Sequence, residues 1–170
     1  NYPLVGHKGS IKFHARFRGV SAHGSMPELG VNAVYKAARA VSALESFDFK
    51  ASPHALMGGP TLNVGTISGG SGVNLVPDEA TIGVDMRTVP GVDHQAVLSK
   101  MKALMGPDAE LDVFSDLRPV WTAPDDEWMR RVFEICKPFV GEPPQARTAP
   151  YMTDAANLLK VYAGAPTVVL

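Results

Sequence analysis

A histidine carried on a turn of small residues is the first feature of this sequence that could do chemistry. His23 stands in Val20-Ser21-Ala22-His23-Gly24-Ser25. Glycine and serine leave its ring free to project, carry protons or donate to a developing oxyanion. A plain surface loop histidine fits the same residues. Gly19-Val20-Ser21-Ala22-His23 comes close to the Gly-x-Ser-x-Gly nucleophile elbow, but histidine stands where the second glycine belongs. Gly69-Gly70-Ser71-Gly72-Val73-Asn74 lacks the Lys-Ser/Thr of a phosphate loop and reads as a tight turn that presents Asn74. Asp85 and Arg87 are two apart, so on a strand they share a face. Arg87 can offer a planar fork to a carboxylate; Asp85 reads as a structural partner for Arg16 or Arg18. His7, His14, His54 and His94 are scattered and read as surface residues, and no local spacing suits a metal. Asp154, after Thr153, reads as a helix cap.

These residues need a frame, and the hydrophobic pattern supplies one. Residues 8–20 alternate, with Ile11, Phe13, Ala15 and Phe17 opposite Lys12, His14, Arg16 and Arg18, the period of a half-buried strand. Ser25-Met26-Pro27-Glu28 has capping-box spacing. A helix over 32–46 follows, with Val34, Ala37, Ala38, Val41 and Leu44 on one stripe. Strands are predicted at 61–68, at 79–88 with Ala80, Ile82, Val84 and Met86 inward, and at 110–114. Between the last two, Asp93 caps a helix that Gly106 ends. The order βαββαβ is the ferredoxin-like plan, and it puts strand 61–68 on an edge open to pairing.

Beyond Leu117 the pattern changes. Asp125 is expected to cap a helix that stops at Pro138, Glu142-Pro143-Pro144 to form a turn, and Asp154 to cap a helix over 155–163. The apolar run 166–170 reads as a buried strand of a parallel sheet, and the chain therefore as part of a longer one. The fold class is α+β: a ferredoxin-like βαββαβ domain at 7–117, then a partial α/β segment at 118–170.

Composition narrows the function. The 170 residues carry 16 Lys and Arg against 17 Asp and Glu, a net charge of -1, which argues against a nucleic-acid binder. Charge is uneven: residues 1–60 hold seven basic and three acidic side chains, which suits an anionic ligand or a solvated positive face. Apolar runs are too short for a membrane span. The lone Cys136 excludes a disulfide framework and leaves a reducing, cytoplasmic setting as the default.

One ordered set of residues is more specific. Gly19-x-x-Ala22-His23-Gly24-Ser25-x-Pro27-x-x-Gly30-x-Asn32-Ala33 precedes Gly69-Gly70-x-x-x-Asn74-x-x-Pro77-Asp78, then Asp85-x-Arg87-x-x-Pro90 and Thr153-Asp154-Ala155. The set resembles the aminoacylase-like dinuclear zinc amidohydrolases, which include acetylornithine deacetylase, succinyl-diaminopimelate desuccinylase and glutamate carboxypeptidase. Ser25 to Ala33 is more similar to the deacetylase and desuccinylase branch than to the carbamoylases. The resemblance implies a lid, often the dimerisation domain, inserted in a zinc-binding α/β catalytic domain. It implies an N-acyl amino acid or peptide carboxylate as substrate and two zinc ions, or cobalt in their place. The ligands and the catalytic glutamate would lie outside this stretch, leaving it inactive alone and without bound metal. His23 would be the catalytic lid histidine that stabilises the oxyanion, commonly in the partner subunit's site. Asn74 and Arg87 would hold the substrate's carboxylate end, and a homodimer would form through strand 61–68 and helix 32–46. A free-standing ferredoxin-like module that dimerises or binds a small effector is the competing reading.

Overall fold

The computed structural model describes residues 2–141, 144–162 and 164–170. In chain order its elements are β1 (Gly6–His7), β2 (Gly9–Arg18), β3 (Ala22–His23), a 3-10 turn (Pro27–Leu29), α1 (Ala33–Glu45), β4 (Thr61–Gly69), β5 (Leu75–Val76), β6 (Glu79–Thr88) and α2 (His94–Met105). Then follow β7 (Ala109–Leu117), β8 (Val120–Trp121), α3 (Glu127–Val140), β9 (Thr148–Ala149) and α4 (Ala155–Leu158). The main sheet runs β4-β6-β2-β7 and is antiparallel throughout. This is the ferredoxin-like order, with β4 on an edge as expected. Its register with β6 slips by one residue at Gly65.

Alternation decides which face of the sheet is covered. Ile11, Phe13, Ala15 and Phe17 of β2 and Ala80, Ile82, Val84 and Met86 of β6 are all buried, packed against both helices. The buried stripe of α1 is Ala33, Ala37, Ala40 and Leu44, with Val34 and Val41 at its margins and Ala38 exposed. The small alanines let the helix lie close to the sheet. Asn32 Oδ1 accepts the Tyr35 N–H at 3.1 Å and starts this helix. Ser25 does not cap: Pro27–Leu29 is a single 3-10 turn without a side-chain cap. Helix α2 begins as expected, Asp93 accepting from Gln95 and Ala96 at 2.9 and 3.2 Å, and it ends at Gly106.

The second part departs further from expectation. Asp126, not Asp125, caps α3. The helix runs past Pro138 to Gly141, whose φ of 75° ends it, because proline near the last turn removes only one N–H bond. Helix α4 is four residues long and Asp154 makes no side-chain cap to it. Its expected end at Ala163, like Glu142 and Pro143 of the expected turn, lies outside the described residues. Run 166–170 is no buried parallel strand; Val169 makes an isolated antiparallel bridge to Leu4 and remains half-buried. A three-stranded sheet β8-β1-β9 joins the strands that enter and leave the main sheet.

Candidate functional site

His23 owes its position to a short ladder between β3 and β5, in which it faces Leu75. The Gly24 N–H donates to the Asn74 carbonyl at 2.7 Å, so the glycine-rich loop and the histidine turn are held side by side. A Cβ at Gly24 would lie 3.0 Å from the Asn74 backbone, which accounts for the glycine after the histidine. His23 and Asn74 are both exposed.

The ring of His23 has a defined tautomer. Its Nδ1 lies 2.7 Å from Ser25 Oγ and 3.2 Å from the Ser25 backbone nitrogen. An amide N–H can only donate, so Nδ1 must hold the lone pair and the neutral ring carries its proton on Nε2. Among the described residues nothing accepts from Nε2, which leaves this N–H available to a ligand. Ser25, for all its capping-box spacing, is thus a contact of the candidate site; a serine two residues beyond a histidine in a turn is the signal that could have found it.

Arg87 is elsewhere. It sits at the opposite end of β6, between Ser10 and Thr61 in the register. Eight residue rises along β6 separate it from Glu79, roughly 26 Å at 3.3 Å each, and His23 and Asn74 lie beyond the Glu79 end. Its Nη2 donates to Asp85 Oδ2 at 2.7 Å, and the side chain is a quarter exposed. The expected pairing of Asp85 with Arg16 or Arg18 does not occur. The antiparallel register sets Asp85 against Lys12 and brings both arginines to Glu79, at 3.5 and 2.9 Å. The structure therefore brings together His23 and Asn74, and keeps Arg87 apart from both.

Two of the remaining histidines correct the surface reading. His94 is fully buried, its Nδ1 2.5 Å from Asp116 and its Nε2 2.8 Å from the Thr88 hydroxyl. It ties α2 to the ends of β6 and β7. His7 is also fully buried; its Nδ1–H donates to the Lys8 carbonyl at 2.8 Å and its Nε2 accepts the Thr153 N–H at 3.4 Å. Burial lowers the His7 pKa, with the Lys8 carbonyl partly opposing it. The unfolded chain then binds the extra proton first. Stability is complete above the ordinary histidine pKa near 6.5 and falls as pH drops below it towards the lowered value. The unfolding free energy from urea titration is expected to decrease between pH 7.5 and 5.5, by at most about 1.4 kcal/mol per pH unit for this one proton. His7→Gln should flatten that part of the profile; an unchanged slope would show that another group causes it.

Among the described residues no three His, Cys, Asp or Glu side chains come together to hold a metal ion. The described residues therefore do not fit a zinc pair. Among the described residues no helix is long and apolar enough to cross a membrane.

The fold and turn geometry define a ferredoxin-like α+β domain that presents an exposed histidine. The profile of the peptidase dimerisation domain, M20_dimer, matches residues 5–113, and the chain belongs to that family. Acetylornithine deacetylase of Proteus mirabilis is 28% identical over 99% of this chain and 44% of its own length. A p-aminobenzoyl-glutamate hydrolase polypeptide of Escherichia coli is 35% identical over 71% of this chain and 28% of its own. The fold is that of aminopeptidase PepT from Bacillus cereus (TM-score 0.77, 24% identity, 98% of this chain and 44% of that one). It is also that of the M20 family metallo-carboxypeptidase Sso-CP2 from Sulfolobus solfataricus (TM-score 0.79, 18% identity, 98% and 58%). The chain spans less than half the length of these two curated relatives.

Proposed function

We propose that this chain is the lid and dimerisation portion, 7–117, with a catalytic-domain segment, 118–170, of a zinc-dependent amidohydrolase. The parent would hydrolyse the amide bond of an N-acyl amino acid or small peptide, in a cytoplasmic setting, with two zinc or cobalt ions held by residues outside this chain. The chain alone would be inactive. Its own residues bind substrate and stabilise charge.

One observation carries the reading: His23 and Asn74 stand at one end of the sheet and Arg87 at the other. No small substrate touches both ends of one chain. A homodimer formed through strand 61–68 and helix 32–46 resolves this, since each site can then draw His23 and Asn74 from one protomer and Arg87 from its partner. Attack on the scissile carbonyl moves negative charge onto its oxygen. The Nε2–H of His23 donates to that oxygen and strengthens as the charge grows. Asn74 and the Arg87 fork hold the substrate's carboxylate end.

Exchange of protomers tests the arrangement. Full-length His23→Ala and Arg87→Ala proteins are each expected to be nearly inactive. In a mixed dimer both lesions fall in one site and the other site is intact. With random exchange, about a quarter of wild-type activity should return. No recovery with mixed dimers demonstrated would put His23 and Arg87 to work within one protomer or outside the reaction, and absence of hydrolase activity in the wild-type parent would favour the non-catalytic module.

A further inference from the structure

We infer that Ser25 is a positioning residue for His23: its hydroxyl and its backbone N–H converge on Nδ1, fix the proton on Nε2, and so commit the ring to act as a hydrogen-bond donor. The inference rests on the oxyanion role proposed for His23. The hydroxyl lies 2.7 Å and the amide nitrogen 3.2 Å from Nδ1. The turn that brings them there is itself closed, the Met26 N–H donating to the His23 carbonyl at 2.9 Å. Gly24 allows the close approach to Asn74 that anchors it. An exposed imidazole in water explores several rotamers and both tautomers. Two donors on one nitrogen remove that freedom before any substrate arrives, and a preorganised donor needs no rearrangement in the transition state. The same contacts remove the alternative role, because a general base at the reaction centre would need the lone pair on Nε2. Ser25 is exposed, as are its two bonds to His23, so it contributes to this ring rather than to the core.

Two measurements test this. Nitrogen-15 NMR of the imidazole in the 170-residue chain, at a pH where the ring is neutral, should show Nδ1 without and Nε2 with a bound proton; a protonated Nδ1 overturns the inference. In the full-length enzyme, Ser25→Ala should lower kcat about 3- to 10-fold, the worth of one hydrogen bond, with KM and Tm unchanged, and Ser25→Thr should restore it. In a His23→Ala background, Ser25→Ala should cost nothing more, because the two act as a unit. An equal loss in both backgrounds, or none in either, overturns the positioning role. If His23→Ala alone leaves kcat unchanged, the proposed function of His23 fails instead, while the NMR result still reports on the Ser25 contacts.

Discussion

In the full-length parent, if it is the proposed amidohydrolase, His23→Ala is expected to lower kcat by about 100- to 1000-fold, or roughly 3–4 kcal/mol, the usual worth of one oxyanion donor. KM should change little, since the charge that the Nε2–H meets exists only in the transition state. Stability should also change little. His23 is exposed, its side chain is bonded among the described residues only to Ser25, and the β3–β5 ladder is held by backbone groups that alanine keeps. Steady-state kinetics beside a thermal melt decides the matter. A loss of kcat with an unchanged Tm supports the donor role, whereas an unchanged kcat removes His23 from the chemistry.

The second large effect is expected at Gly19, where β2 leaves the sheet. A Cβ there would lie 2.0 Å from the Val31 carbonyl oxygen, 2.9 Å from that of Pro77 and 3.0 Å from the Ala33 nitrogen. All three are backbone atoms and none can rotate away. They belong to contacts that set the His23 turn: Gly19 N–H to Asp78 at 2.7 Å, and the reciprocal Val20–Val31 bridge at 2.9 Å each way. Gly19→Ala should therefore cost at least the 1–3 kcal/mol or so of an overpacked site. It should also depress kcat by displacing the turn. Gly59→Ala is the control, because nothing lies within 4 Å of a Cβ there; its change should stay within about 0.5 kcal/mol. Equal urea midpoints for the two variants would show that the Gly19 contacts relax without cost.

Much of the frame was legible in the residues because it rests on local rules. The two-residue period of Ile11 to Phe17 and of Ala80 to Met86 named the buried face. Asp93 and Gly106 bounded α2 by chemistry that acts within one turn. The edge position of β4 followed from the order of elements. The resemblance of the ordered motifs, rather than any local rule, singled out His23, Asn74 and Arg87 as candidates. Local rules misled where two readings compete over a few residues. Ser25 has the spacing of a capping box, yet Pro27 opens only a 3-10 turn and the serine turns back to His23. Asp125 was the expected cap, and the chain's path gives that place to its neighbour Asp126. His7 and His94 looked like surface residues because sequence does not show that Thr153, Thr88 and Asp116 close over them. The partner of Asp85 depends on register, and a slip of two residues on one strand exchanges every cross-strand neighbour. Distance was the last thing sequence could not supply. That Asn74 sits beside His23, and Arg87 at the far end of β6, is set by how four antiparallel strands align. Strand direction alone turns thirteen residues of separation between Asn74 and Arg87 into opposite ends of the main sheet.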